Sequence, residues 1–383
     1  MSTLKVDGIR SNSASSDAIT LASDGTCTAN ITNNLSNRNL IINGAMQVAQ
    51  RGTVTGVQDG YGGPDRFKFD SNHTTVTMSQ STDVPTGQGF VKSLKLDVTT
   101  AGGISNANTW TQIDHRLEGQ DLQSLCYGTS NAKTTKLTFW IKSPKTGIHW
   151  VRLYSSEIGN KFNSKKYTVT TANTWQKVTL TFGGYTSQGF NNDNTIGLRI
   201  SWYFGQGSDF TSGADADGDE WLTWHNNNNA VGQVNCVDST SNDIYLTGVQ
   251  FEVGDVATDF EHRSYGDELA RCQRYYYVLA DGSTVADEYI GNGRGWSSTQ
   301  IEYVARWPVV MRTAPSLVFA AGTNYYQWRN GDNEKYVDAV GITNATTRSV
   351  IIYKTGVSSA TAGGAYRFQL GNASAYIHFN AEL

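Results

Sequence analysis

Short runs of alternating apolar and polar residues recur along most of this chain. They include TVTMSQS at 75–81, KLTFWIK at 136–142, KVTLTF at 177–182 and IYLTGVQFEV at 244–253. A period of two is typical of strands with one buried face, and turn residues separate the runs. Because no long amphipathic helix lies between them, the pattern favours an all-β fold, a β-sandwich or jelly roll, over alternating β–α units.

One short helix is predicted at Tyr265–Tyr277. Ser264 can cap it, Asp267 and Glu268 lie in its first turn, and arginines follow, which matches the helix dipole. With 383 residues the chain is long for a single core, so at least two domains are expected. We therefore predict a jelly-roll-like sandwich over 43–263, and a connector helix with a C-terminal β domain over 264–383.

The first 42 residues have a different composition from the rest. They contain two short alternating pieces, TLKVDGIRS and DAITLASDG, joined by a Ser/Asn-rich stretch. Their apolar residues are too few to form a core, so the segment is expected to be ordered only by pairing with another chain or with a docking surface. The alternative is a frayed tail.

Charge and motifs exclude several classes of protein. The formal net charge is −4, and the longest basic run is Lys165 and Lys166, which argues against a nucleic-acid partner. No apolar stretch approaches the roughly 18 residues of a membrane span, and the N-terminus lacks the apolar core of a signal peptide. The four cysteines form no CxxC pair, and HExxH and GxSxG are absent, so no enzymatic activity and no zinc or redox site is expected.

The most distinctive local feature is TNYYQWRNGDNEKY at 323–336. An Asn-Gly turn would place aromatic, amide and charged groups at a loop tip, where rings can stack on a sugar and polar groups can bind its hydroxyls. The alternative is a hairpin whose rings pack inward, because period-two alternation puts alternate residues on one face. The candidate contact residues are Tyr325, Tyr326, Trp328, Arg329, Asn330 and Asp332.

Two further loops carry candidate chemistry. GNGRGWSS at 291–298 presents Arg294 and Trp296 among glycines that would let a ligand approach the backbone, although a plain hairpin turn also explains it. ADADGDEW at 214–221 spaces three carboxylates at alternate positions, as oxygen ligands for calcium can be. The EF-hand spacing fails, so a solvated acidic loop is the alternative. The candidate calcium ligands are Asp215, Asp217 and Asp219.

Four passages of the chain together resemble bacteriophage tail-fibre proteins, in the same order and at similar spacing. They are NRNLIINGAMQVAQRGT with DRFKF; IDHRLEGQDLQSL with KLTFWIKSPKTG; YLTGVQFEVGDVATDFEHRSYGDELARCQRYY; and WPVVMRTAPSL. The opening STLKVDGI is similar to the start of fibre proteins from marine phages. The resemblance covers about residues 1–320 and none of these passages is catalytic.

The resemblance implies a virion structural protein, made in the host cytoplasm, that takes part in host attachment. It further implies a homotrimer, a middle region like the jelly-roll carbohydrate-binding modules, and a receptor-binding terminal region. We therefore expect adsorption to a bacterial surface glycan or protein, with the N-terminus bound to the phage tail or an adaptor. A non-binding structural adaptor or a capsid or tail decoration protein is the alternative, and a polysaccharide depolymerase is a further one.

Overall fold

Antiparallel β-strands make up nearly all of the regular structure. The computed structural model describes residues 6–13, 15, 17–21, 23, 27–29, 37–331 and 333–383. The strands, in chain order, are β1 (Gly8–Ile9), β2 (Ile19–Leu21), β3 (Cys27–Ala29), β4 (Val54–Val57), β5 (Asp59–Tyr61), β6 (Phe67–Ser71), β7 (Thr75–Ser81), β8 (Ser93–Thr100), β9 (Trp110–Glu118), β10 (Thr135–Lys142), β11 (Gly147–Ser155), β12 (Lys161–Val169), β13 (Gln176–Phe182), β14 (Ile196–Gln206), β15 (Leu222–Thr223), β16 (Asp243–Val253), β17 (Tyr276–Asp281), β18 (Tyr289–Gly295), β19 (Gln300–Arg306), β20 (Ser316–Phe319), β21 (Tyr326–Asn330), β22 (Asn333–Val337), β23 (Gly341–Thr343), β24 (Ser349–Thr355), β25 (Ala365–Leu370) and β26 (Tyr376–Asn380). The α-helices are α1 (Ser208–Thr211) and α2 (Tyr265–Gln273), and 3₁₀ helices lie at Gly119–Leu125 and Asn226–Asn228.

The first sandwich contains two sheets. Sheet I has the strand order β13-β10-β16-β8-β7-β4, and sheet II has the order β15-β12-β11-β14-β9-β6-β5. Alternate residues of the longer strands point into one shared core, as in β6, where Phe67 and Phe69 are fully buried. Phe139 of sheet I packs edge-on against Trp202 of sheet II, with 5.8 Å between ring centroids.

The second sandwich has its own core. Sheet III has the order β17-β26-β20, and sheet IV has the order β22-β21-β25-β18-β19-β24-β23. Trp328 and Phe368 of sheet IV and Ile377 and Phe379 of sheet III are fully buried in this core. The predicted all-β architecture of tandem sandwiches with one short connecting helix is therefore confirmed.

Helix α2 links the two sandwiches. The Ser264 hydroxyl accepts a hydrogen bond from the Asp267 N–H at 3.2 Å, as the predicted cap requires. The helix ends at Gln273, four residues before the predicted end, because Tyr276–Asp281 pair with β26 instead.

Charged groups buried between the sandwiches hold the two bodies together. The Arg66 guanidinium, 1% exposed, contacts the Glu382 carboxylate and lies 3.5 Å from the Tyr275 ring centroid. Arg274 binds Glu118 with Nε–Oε1 and Nη2–Oε2 distances of 2.8 and 2.7 Å. Burial raises the pKa of Glu118, but the hydrogen bonds from Arg274 and Tyr275 outweigh it and hold that pKa below its ordinary value.

The N-terminal residues form a separate small sheet, β1-β2-β3. Val6, Ile9 and Leu21 are each more than a third exposed, so this sheet lacks a core of its own in its described residues. Leu40 and Ile41 instead pack in the core of the first sandwich, where Ile41 is fully buried. In the described part of the chain, no helix is both long and apolar enough to cross a membrane.

Candidate functional site

The β21–β22 hairpin does not present the rings that the sequence assigned to receptor contact. Tyr326 and Trp328 are both 0% exposed, so the prediction of direct contact is wrong for these two residues. Trp328 stacks on Phe368 with centroids 4.1 Å apart and planes 14° apart, and the Tyr326 hydroxyl donates to the Ala320 carbonyl at 2.6 Å. The reason is that β21 is an interior strand of sheet IV, and the face shared by both rings is the core face.

The remaining members of this hairpin have mixed exposure. Tyr325 is half-buried and packs against the same core. The Arg329 Nε lies 3.3 Å from Glu334 Oε1, and Asn330 is exposed at the end of β21. Asp332 lies outside the described residues. The hairpin tip therefore presents the Asn330 amide and the Arg329 guanidinium, which is paired with Glu334. It does not present the buried rings of Tyr326 and Trp328.

The glycine-rich loop does expose an aromatic ring. Trp296 is 59% exposed, and the Arg294 guanidinium lies 4.9 Å from its ring centroid while Arg294 Nε donates to Glu302 Oε1 at 2.8 Å. Arg294 pairs with Ala365 on β25, and Arg329 on β21 pairs with Arg367 of the same strand. The structure therefore brings both candidate loops to one end of sheet IV.

The acidic loop at 214–221 binds lysines. Lys166 Nζ contacts Asp215 and lies 3.9 Å from Asp217, while Lys165 Nζ is 2.6 Å from Asp219. The hydrogen bond from Lys166 holds the pKa of Asp215 below its ordinary value. Among the described residues, no three His, Cys, Asp or Glu side chains are arranged to hold a metal ion. In the described residues these carboxylates are paired with the Lys165 and Lys166 ammonium groups, so nothing in their arrangement supports the calcium interpretation, which stays a prediction.

An aromatic pocket on the outer face of sheet I was not predicted as a site. Its volume is about 250 Å³. We call it the Trp140 pocket, and it is lined by Gly87, Gln88, Phe90, Thr138, Trp140, Lys177, Gly248, Gln250, Thr258, Asp259, Phe260 and His262.

A β-bulge positions the rings of the Trp140 pocket. On β10, Thr138 pairs with Gln250 but Trp140 pairs with Thr247, so β16 carries one extra residue there. Gly248 in this bulge has φ of +61°, and a Cβ at this position would lie 2.6 Å from the Phe90 ring and 3.0 Å from the Trp140 ring. Glycine is required here because it permits both the left-handed conformation and the close approach of two rings.

Rings and polar groups surround the pocket on different sides. Phe260 lies edge-on to Phe90 at 5.0 Å and to His262 at 4.9 Å between ring centroids. The Lys177 ammonium group and the Gln88 amide belong to exposed residues at its rim. Ring faces bind the apolar C–H faces of a sugar, and amide and ammonium groups bind its hydroxyls. The pocket has the size and chemistry to hold one sugar ring.

Sequence inspection missed this pocket because its parts are far apart in the chain. Phe90, Trp140 and Phe260 meet only through strand pairing and the bulge. The one local signal is Gly248, which interrupts the alternation of IYLTGVQFEV as a bulge glycine does.

Several solved structures are similar to this chain at low TM-scores. No protein-family model matches the chain, and no curated protein sequence matches it. The enzymatically active domain of bacteriophage CBA120 tailspike protein 4 is 15% identical, with a TM-score of 0.33, over 57% of this chain and 22% of that one. A family 4 carbohydrate-binding module is 14% identical, with a TM-score of 0.27, over 55% of this chain and 98% of that one.

A third similar structure covers more of the chain. The tandem of two family 22 carbohydrate-binding modules from Paenibacillus barcinonensis Xyn10C is 10% identical, with a TM-score of 0.27, over 90% of this chain and 98% of that one. The chain spans about a fifth of the tailspike domain's length. Because all three TM-scores are below 0.5, these similarities carry no weight for function.

Proposed function

We propose that this chain is a phage tail-fibre protein that adsorbs to a bacterial host by binding a surface glycan. The observation that carries the binding function is the Trp140 pocket, an opening of about 250 Å³ with aromatic walls and a polar rim. The four passages that resemble tail-fibre proteins support the phage context. The same proposal states that the protein binds the glycan without catalysing a reaction on it and that it is located in the virion.

Weak single contacts are sufficient for such a role. One sugar ring in an open pocket corresponds to a millimolar Kd, or about 4 kcal/mol. In the homotrimer that the resemblance implies, three identical pockets would act together, and multivalency raises avidity by about 10²–10⁴ without any new contact. An adhesive fibre of this kind therefore needs no deep cavity.

The N-terminal residues are proposed to attach the fibre to the phage tail or to an adaptor. The exposure of Val6, which precedes the small N-terminal sheet, and of Ile9 and Leu21 on it supports this, because apolar residues without a core of their own are stabilised by a partner surface. The exposed Trp296 at the end of sheet IV is a second candidate contact in the same role.

The test is binding to purified host surface polysaccharide, immobilised on a biosensor. Trp140→Ala removes one wall of the pocket and is expected to weaken binding about 10-fold, the effect of losing one half-buried ring contact. Tyr265→Ala, at a ring that is 57% exposed on α2 and outside the pocket, is the matched control and should bind as wild type does.

Other outcomes would contradict parts of the proposal. If Trp296→Ala weakens binding and Trp140→Ala does not, the pocket assignment is wrong and the contact surface lies at the end of sheet IV. If the wild-type protein binds no host polysaccharide at all, glycan adsorption itself is wrong.

A further inference from the structure

The outer face of sheet II carries a row of polar side chains across three neighbouring strands. Arg152 of β11 pairs with Ser201 of β14, and Ser201 pairs with Asp114 of β9. These three side chains face away from the sandwich core, because their neighbours Val151, Ile113 and Ile200 point into it. Even so, the three residues are 5%, 0% and 0% exposed.

Arg152 is the unusual member of this row. Its guanidinium carbon lies 4.5 Å from the Trp224 ring centroid, 5.0 Å from Tyr203 and 5.5 Å from Tyr154. No hydrogen bond or ion pair joins its guanidinium to any other described residue, and its Nε is fully buried without an acceptor. Aromatic rings compensate a buried cation only in part, whereas a guanidinium carries five N–H donors that require acceptors.

The surrounding charges leave this face positive. Asp114 Oδ2 lies 3.6 Å from Arg199 Nε and 3.6 Å from Arg116 Nη2, while Asp114 Oδ1 accepts from Ser201 Oγ at 2.7 Å. Arg199 and Arg116 therefore share the Asp114 carboxylate, while Arg152 has no ion pair with it. Arg116 also donates to the Leu383 carbonyl at 2.5 Å through Nη1, but its Nε, like the Nε of Arg152 and of Arg199, is buried without a hydrogen-bond acceptor.

The rings beside Arg152 are fixed in place by their own hydrogen bonds. Trp224 Nε1 donates to Asn226 Oδ1 at 2.9 Å, and the Tyr154 hydroxyl donates to Asn160 Oδ1 at 3.0 Å. Tyr154 and Trp224 lie edge to face with centroids 5.1 Å apart, and both are half-buried. A guanidinium held between ordered rings loses little conformational freedom when a ligand binds to it.

We propose that this face binds the acidic group of a sugar, a carboxylate or sulfate, through the Arg152 guanidinium. Arg199 adds positive charge, and the ring faces of Trp224 and Tyr154 lie beside the sugar that carries the group. An oxyanion supplies the paired acceptors that a planar guanidinium matches. The choice of a glycan as the carrier rests on the proposed function, whereas the need for an oxyanion rests on Arg152 and Arg199 alone.

The test is titration calorimetry of the full-length protein with three probes. Galacturonic acid oligosaccharides are the acidic probe, galactose oligosaccharides are the neutral match, and inorganic sulfate is the free anion. We expect the acidic oligosaccharide to bind more tightly than the other two, and the affinity to fall as salt is raised. Arg152→Met should lower that affinity about 10- to 100-fold, the effect of losing charge-assisted hydrogen bonds.

The control and a second readout separate a binding role from a structural one. Arg348→Met removes the same charge from an exposed position in the second sandwich and should leave the affinity unchanged. If Arg152 is a binding residue, Arg152→Met should keep or raise the Tm, because it removes a buried charge without an acceptor.

Three results would overturn the inference. The first is that Arg152→Met has a lower Tm and the wild-type protein binds no anion. The second is that the wild-type protein binds acidic and neutral oligosaccharides with equal affinity. The third is that it binds inorganic sulfate as tightly as the acidic oligosaccharide. None of them affects the host polysaccharide test on Trp140, so the two proposals fail separately.

Discussion

Replacing Trp328 by alanine should destabilise the second sandwich while leaving the binding surfaces in place. Trp328 is 0% exposed and stacks on Phe368 at 4.1 Å, so truncation leaves a cavity, and such changes cost about 3–5 kcal/mol. Its buried Nε1 has no acceptor, and removing that unpaired N–H returns about 1 kcal/mol. The expected net loss is about 3 kcal/mol, a large share of the 5–15 kcal/mol typical of a domain.

The assay is denaturant unfolding of matched variants at one protein concentration. Trp328→Phe keeps an aromatic partner for Phe368 and removes the unpaired N–H, so it should cost about 1 kcal/mol. Trp296→Ala, at a ring that is 59% exposed, should cost no more than about 1 kcal/mol, the value of its contact with Arg294. If Trp328→Ala is no more destabilising than Trp296→Ala, the placement of Trp328 in the core is refuted.

Two further predictions concern buried charge. Burial lowers the pKa of His378 to about 4, below its ordinary value of 6.5. The folded state therefore binds this proton only at a lower pH than the unfolded state does. The free energy of unfolding should therefore fall as the pH drops from 6.5 towards 4, by at most about 1.4 kcal/mol per pH unit. Urea unfolding at pH 7 and pH 5 measures this slope, and His378→Asn should flatten it. An identical slope in the variant would contradict this assignment. Glu382→Gln should lower the free energy of unfolding by about 3–5 kcal/mol, measured by thermal unfolding, because it leaves the buried Arg66 charge unpaired. A decrease below about 1 kcal/mol would show that this ion pair does not couple the two sandwiches.

The fold was predictable because it follows from local patterns. Period-two alternation in runs such as KLTFWIK identified strands, and Ser264 with Asp267 and Glu268 identified the start of the connecting helix. The end of that helix was not predictable, because pairing of β17 with the distant β26 decides it.

The candidate sites were only partly predictable, because burial depends on long-range pairing. Alternation placed Tyr326 and Trp328 on one face of a strand but could not show that this face is the core of sheet IV. Arg152 lies in HWVRLYS, an ordinary strand sequence, and the rings packed against it include Trp224 from a distant loop, which local alternation cannot show. Trp296, in contrast, lies in a glycine-rich loop and is exposed, as the sequence indicated.

The most direct test of the account is adsorption of fluorescently labelled protein to candidate host cells, with and without periodate oxidation of their surface glycans. The account predicts that wild-type protein binds, that periodate abolishes the binding, and that Trp140→Ala weakens it while Tyr265→Ala does not. Binding that survives both periodate and Trp140→Ala would contradict the account and indicate a protein receptor. The absence of binding to every candidate host strain would favour a structural adaptor or decoration protein.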